Sequence, residues 1–197
     1  MTADRETLDV YDAQAADYAR LTESEARDTQ LLAFIAALPK GGRVLDLGCG
    51  PGHAAAAMAN AGLIVDATDA SSEMVALAGR HKGVTAWQAL FDEIDAEAAY
   101  DGIWANFSLL HAPRATMPGH LARLARALKP GGLFHIGLKT GEGEKRDGIG
   151  RLYTYYTGPE LSGLLGAAGF TIRDTRTGRS LGLDGELADW IVIEAHA

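Results

Sequence analysis

Residues 44–53 read Val-Leu-Asp-Leu-Gly-Cys-Gly-Pro-Gly-His: an apolar run holding one acid, then three alternating glycines, with an alanine-rich stretch beyond. That order predicts a strand, a tight turn and the start of a helix. Gly48, Gly50 and Gly52 carry no Cβ, so the chain can turn sharply off the strand and a ligand can approach the backbone, while the next helix offers its unpaired N–H groups. The spacing is GxGxG. A dinucleotide-binding GxGxxG would need a third glycine where His53 stands. The plainer alternative is a tight strand-to-helix turn with no ligand.

Around this turn the pattern alternates. Strands are predicted at Arg43–Leu47, Leu63–Thr68, Val84–Gln88, Gly102–Ala105 and Leu133–Leu138, separated by helices at Ala54–Ala61, Ser72–His81 and Arg114–Leu128. Two helices precede them, over 8–20 and 25–38. Leu31, Leu32, Phe34, Ile35 and Leu38 give the second an apolar face, and Pro39-Lys40-Gly41-Gly42 ends it. Together they form an N-terminal helical cap over 1–38. Lys129-Pro130-Gly131-Gly132 reads as a break before the fifth strand. Residues 139–157 are a polar, glycine-containing insertion, Gly158–Ala168 reads as a helix, and Phe170–Thr175 and Leu187–Glu194 are β-rich. Strand-helix alternation of this kind gives an α/β fold, a doubly wound, mostly parallel sheet with helices on both faces.

At 197 residues the chain suits a single domain, 1–197, with a substantial core. No apolar run approaches the length of a bilayer, and the first residues, Met1-Thr2-Ala3-Asp4-Arg5-Glu6, show no basic region followed by an apolar core; a cytoplasmic protein with no membrane association is expected. The formal charge of −8 gives no electrostatic reason to bind nucleic acid. Cys49 is the one cysteine, so an intrachain disulfide and a cysteine-rich metal site are excluded. Oligomeric state is not legible.

The segment 44–53 resembles motif I of the class I S-adenosylmethionine (SAM)-dependent methyltransferases, a hydrophobic strand ending in Asp/Glu-x-Gly-x-Gly-x-Gly. The likeness runs from about Tyr11 to the C-terminus. It implies SAM as cofactor, S-adenosylhomocysteine as product, and a seven-stranded sheet whose last strand is antiparallel. Tyr11-Asp12-x-x-Ala15-x-x-Tyr18 looks like the opening of the small-molecule members, whose first helices fold over the cofactor.

Ligands of doubly wound sheets sit beyond the carboxyl ends of the strands, where strand order reverses. After strand two, Asp69, with Ala70 beside it, resembles the acid that accepts from both ribose hydroxyls; an ordinary helix N-cap is the alternative, a role open to Ser71 as well. Met74 packs on the adenine in the family, or simply in the core. The resemblance places Leu90 where many members carry an acid for the adenine amino group, so backbone around Leu90 and Phe91 would serve instead, with Asp92 as substitute. Asp46 resembles the strand-one acid near the amino end of SAM, and Asn106, just after strand four, is a further candidate cofactor contact. Tyr11 and Tyr18 are two helical turns apart and share a face. Tyr18 would bond the methionine carboxylate or pack; Arg20 is a second candidate for that carboxylate.

SAM carries an activated methyl group, so alignment and exclusion of water are the protein's main tasks. His111, after strand four, is placed to act as base or acceptor ligand, or to pack against the helix that follows Pro113. The segment beginning Asn106-Phe107-Ser108 lacks the Asn/Asp-Pro-Pro-aromatic sequence of nucleobase amino-methyltransferases and the acids of the metal-dependent catechol type, so no metal is expected. In this fold the 139–157 insertion overhangs the acceptor pocket. That makes Lys139, Arg151, Tyr153 and Tyr155, together with Tyr11, candidate substrate contacts; a solvated loop is the alternative. The expected activity is methyl transfer to O, N or S of a small-molecule acceptor, with the enzymes that methylate thiols or chalcogen anions a further likeness. A SAM-binding protein without transferase activity is the rival, and the GxGxG spacing disfavours a dehydrogenase.

Overall fold

The computed structural model describes residues 4–181 and 185–197. Its centre is a seven-stranded sheet in the order β3-β2-β1-β4-β5-β9-β8, built from β1 (Arg43–Leu47), β2 (Ile64–Asp69), β3 (Val84–Gln88), β4 (Tyr100–Asn106), β5 (Leu128–Lys139), β8 (Thr171–Leu181) and β9 (Leu187–His196). The first five are mutually parallel, and β9 runs antiparallel to both β5 and β8. Strand order reverses between β1 and β4. A crevice therefore opens above their carboxyl ends.

The helices are α1 (Arg5–Leu21), α2 (Thr29–Ala37), α3 (His53–Asn60), α4 (Ser72–Ala78), α5 (Met117–Ala127) and α6 (Gly158–Ala167). One face of the sheet packs α2 and α3 through Leu31, Phe34, Ala55 and Met58 against Val44, Val65 and Trp104. The other packs α5 and α6 through Leu121, Leu124, Leu161 and Leu165 against Leu45, Ile103, Phe134 and Ile193. Both faces of β1 and β4 are thus covered, which is why those strands read as continuous apolar runs. Burying each of the Val, Leu, Ile, Phe and Met side chains among them stabilises the fold by about 1.5–3 kcal/mol.

Strands β1 and β3 fall where the sequence places them. The predicted 25–38 helix instead divides into a 3-10 turn, Glu23–Arg27, and α2, because the Asp28 carboxylate caps the amides of Gln30 and Leu31 and restarts the helix. The expected break at Lys129-Pro130-Gly131-Gly132 lies inside β5 as an irregularity: pairing moves from Tyr100 opposite Leu128 to Gly102 opposite Leu133. The 139–157 insertion folds into a two-stranded hairpin of β6 (Glu144–Arg146) and β7 (Leu152–Thr154). Among the described residues no helix is long and apolar enough to cross a membrane.

Candidate active site

The turn after β1 adopts left-handed backbone at Gly48 (φ +69°), Gly50 (+52°) and Gly52 (+84°). Its amides at Gly48 and Cys49 both donate to the carbonyl of Thr68, at 2.7 and 2.9 Å, tying the loop to the end of β2. A Cβ on Gly48 would stand 2.3 Å from that of Ser108, and one on Gly52 2.8 Å from the backbone of Ala78. The first and third glycines are thus needed for close packing; at Gly50 the nearest atom, on the Tyr18 ring, is 3.5 Å away.

Asp69 closes the other side of the mouth. Its carboxylate accepts from the amides of Gly50 and Ser71, each at 2.9 Å. Burial raises its pKa, and those amide bonds oppose the rise. Capping of α4 falls to Ser71, whose hydroxyl accepts from the Met74 amide and donates to Asp12 on α1. Asp69 is thereby free of the capping role.

Beyond these groups lies one continuous cavity with about 1040 Å³ of atom-free space, open to solvent. Tyr11, Tyr18, Gly48, Gly50, Asp69, Ala70, Met74, Leu90, Phe91, Asn106 and His111 all line it. The structure therefore brings together, over one space, most of the residues expected to meet cofactor or acceptor.

Its far end is a polar network. The Tyr11 hydroxyl and His111 Nε2 are 2.8 Å apart, and His111 Nδ1 lies 2.7 Å from the carbonyl oxygen of Leu152. A carbonyl can only accept, so Nδ1 carries the proton and the Nε2 lone pair receives the Tyr11 O–H. Arg151 donates to the Tyr11 oxygen at 3.1 Å and is itself held by Asp147 through Nε and Nη2, at 2.9 and 2.7 Å. Burial lowers the His111 pKa to about 4, leaving the imidazole neutral near pH 7. Burial also pushes Tyr11 up to about 12, against the pull of Arg151.

Six expected residues do not reach the cavity wall. Asp46 is buried within β1 and Gly52 beneath α4. Arg151, 1 % exposed, lies behind Tyr11. Tyr153 is buried against His111 and Arg151, and Lys139 and Tyr155 line a separate surface depression. The expectation that the insertion overhangs the pocket is corrected accordingly. Arg146 pairs with Asp4 and Glu6, and the Leu152 amide donates to Thr7, so the hairpin is drawn behind α1. Arg20 pairs with Asp17 on the exposed side of α1.

The structure adds wall residues that sequence reasoning did not single out, among them Thr7, Leu8, Phe107, Ser108 and His120. Phe107 has φ +53°, a left-handed conformation costly for a bulky residue. Nothing in its residue type announces that. Ser108 Oγ is buried without a hydrogen-bond partner among the described residues, although the serine is legible as part of the post-β4 segment. No group of three or more His, Cys, Asp or Glu able to hold a metal ion occurs among the described residues.

A family model described as a methyltransferase domain matches residues 44–132, which span the glycine loop, Asp69 and His111. The 1,6-didemethyltoxoflavin-N1-methyltransferase of Burkholderia thailandensis, solved with 1,6-didemethyltoxoflavin and S-adenosylhomocysteine bound, superimposes with a TM-score of 0.69 at 29 % identity over 92 % of this chain and 86 % of that one. By these matches the chain is similar to the class I SAM-dependent methyltransferases. It is 35 % identical over 129 residues to the 27-O-demethylrifamycin SV methyltransferase of Amycolatopsis mediterranei, covering 60 % of this chain and 46 % of the relative. It is equally 35 % identical, over 110 residues, to a SAM-dependent Diels-Alderase of Talaromyces variabilis, covering 51 % and 37 %. The chain thus spans about half or less of the length of these curated relatives. The seven-stranded architecture is the family's, with β8 and β9 as its sixth and seventh strands and the seventh antiparallel.

Proposed function

We propose that the cavity binds SAM and that the chain transfers its methyl group to an O, N or S atom of a small molecule by in-line displacement. The observation that carries this reading is a single cavity running from the Asp69–Gly50 mouth to the Tyr11–His111 pair. The cradle fits the cofactor. Gly48 and Gly50 line the cavity without side chains of their own, so a nucleoside can approach the backbone there, and Asp69 is an acceptor at the end of β2, suited to the ribose hydroxyls. Met74 and the backbone at Leu90 and Phe91 would flank the adenine, with Tyr18 toward the amino-acid end. Bound there, SAM supplies a methyl group already activated as a sulfonium.

The protein's own chemistry lies in alignment and in the fate of one proton. An acceptor X–H beside Tyr11 gives its proton to the phenolic oxygen while the Tyr11 proton passes to His111 Nε2; both groups stay neutral until the transfer demands otherwise. Arg151 steadies the Tyr11 oxygen during that exchange. An overall charge of −8 supports a small acceptor rather than nucleic acid.

The Diels-Alderase relative favours a second reading, in which SAM binds without methyl transfer, as in a regulatory or assembly protein. Calorimetric titration with S-adenosylhomocysteine, followed by a labelled-methyl screen over phenols, amines, thiols and chalcogen anions, separates the two. Binding with turnover supports the transferase, binding without turnover the second reading, and no binding removes both.

A further inference from the structure

Asn106, which lines the cavity, belongs with Trp104 and His135, buried on β4 and β5, to an arrangement that the reaction outlined above does not use. Trp104 lies opposite His135, and Asn106 opposite Gly137, in the parallel ladder. The His135 ring stacks on Trp104, with centroids 3.6 Å apart and planes 18° apart, and Phe34 meets its edge. The ring is fully buried, and its Nε2 lies 3.2 Å from Asn106 Oδ1. Its Nδ1 has no partner among the described residues.

That last point fixes the proton. A buried N–H without an acceptor costs more than a buried lone pair without a donor, so the proton sits on Nε2 and is donated to Asn106 Oδ1. The carboxamide is then oriented: its oxygen turns inward and its NH2 is the end left for the cavity, which Asn106 lines. Gly137 makes the bend possible, since a Cβ there would stand 2.5 Å from Asn106 Oδ1. Burial drives the His135 pKa down to about 3, and the charge of Arg176 pushes the same way. The imidazole therefore keeps one neutral form across the ordinary pH range.

We infer that His135 is a positioning residue, which holds Asn106 with its amide NH2 outward as a hydrogen-bond donor to the carboxylate of the cofactor's amino-acid end. Lining the cavity, among the described residues, there is no lysine or arginine, so an anionic group entering it is met by neutral donors. A donor locked outward by a buried histidine is the kind of group such a site needs. The carboxylate assignment rests on the SAM reading above; the orientation of Asn106 does not.

Two measurements test this. In protein labelled with ¹⁵N-histidine, His135 is expected as the Nε2–H tautomer with Nδ1 bare; an Nδ1–H tautomer overturns the positioning role without any ligand being needed. Calorimetric titration then compares S-adenosylhomocysteine with 5′-methylthioadenosine, which lacks the amino-acid end. For His135→Leu the expectation is at least a tenfold loss for the first and less than a twofold change for the second. His135→Gln, whose side-chain amide can still donate to Asn106, should recover most of the loss, and His135→Leu should add nothing to Asn106→Ala. Equal losses for both ligands, or no recovery with glutamine, would mean a merely structural histidine. Failure of the unmodified protein to bind either ligand removes the SAM reading and the carboxylate role with it, while the tautomer still decides the orientation. Should His135→Leu fail to fold, Asn106→Ala with the two ligands and the tautomer carry the test.

Discussion

The Tyr11 hydroxyl lies 2.8 Å from His111 Nε2, although one hundred residues separate the two in sequence. The first belongs to α1, which is tied to the start of α4 and to the hairpin, the second to the turn beyond β4. Their meeting defines the inner end of the cavity.

Removing either member of that pair should slow methyl transfer while leaving cofactor binding nearly intact. For Tyr11→Phe and His111→Ala the expected drop in kcat is about 10²–10⁴-fold, the usual contribution of a positioned acid or base. Single-turnover rates read beside S-adenosylhomocysteine titrations check this. Wild-type turnover in a folded variant would take the pair out of the chemistry.

Asp69→Ala should weaken S-adenosylhomocysteine binding by about 1–3 kcal/mol, roughly 5-fold to 150-fold, because on the proposed reading two ribose hydroxyls would lose their acceptor. The same change releases the amides of Gly50 and Ser71. Asp69→Asn, which keeps an acceptor oxygen, should fall between alanine and the wild type on the same titration.

Substitutions in the glycine loop should rank by geometry. Gly48→Ala combines a left-handed φ with a contact at 2.3 Å, and a loss of about 2 kcal/mol or more in stability is expected. Gly50→Ala shares the left-handed φ but meets nothing nearer than 3.5 Å, so about 1–2 kcal/mol is expected. Chemical denaturation measures both; equal losses would contradict the packing argument.

Asp147 and Arg151 form an ion pair whose side chains are 3 % and 1 % exposed. Asp147→Ala strands a buried guanidinium and should cost about 3–5 kcal/mol, whereas replacing both residues with apolar ones should cost far less. The double variant should nevertheless lose turnover, since Tyr11 loses its donor. Full activity in that variant would show that Arg151 serves the fold alone.

Acid should destabilise the protein between about pH 6.5 and pH 4. His111 and His135 have folded pKa values lowered by burial to about 4 and about 3, against 6.5 in the unfolded chain, so within that window the unfolded state binds more protons. Stability then rises with pH by about 1.4 kcal/mol per pH unit for each histidine, is fully present above about pH 6.5, and falls away as the pH drops. Denaturation midpoints across that range should show the slope, and His135→Leu should reduce it.

The sheet was readable because its central strands, β1 and β4 among them, are buried on both faces, so apolar runs such as Val44-Leu45 and Trp104-Ala105 stand out, and because glycine and proline punctuate them. The wall that Gly48, Gly50 and Asp69 give the cavity was equally open, since these residues act through local turns. The acceptor end was harder. Tyr11 and His111 could each be named, but their contact depends on how α1 docks against α4 and the hairpin, which no local pattern encodes. The tyrosines and Arg151 of the insertion were misplaced because composition cannot tell which side of a hairpin faces a cavity. Asp4, Thr7 and Arg146, which draw that hairpin behind α1, settle the matter through contacts far apart in the chain. His135 offered no sign beyond one polar residue in an apolar strand.

The hairpin's position has an evolutionary consequence. Because Arg151 and Leu152 touch Tyr11 and His111 from behind, a change of length or sequence in residues 139–157 would shift the inner end of the cavity while leaving Gly48–Gly52 and Asp69 where they are. The cavity is thereby divided into a fixed wall and an adjustable end, and on the proposed reading its specificity could be changed by editing a segment that does not line it.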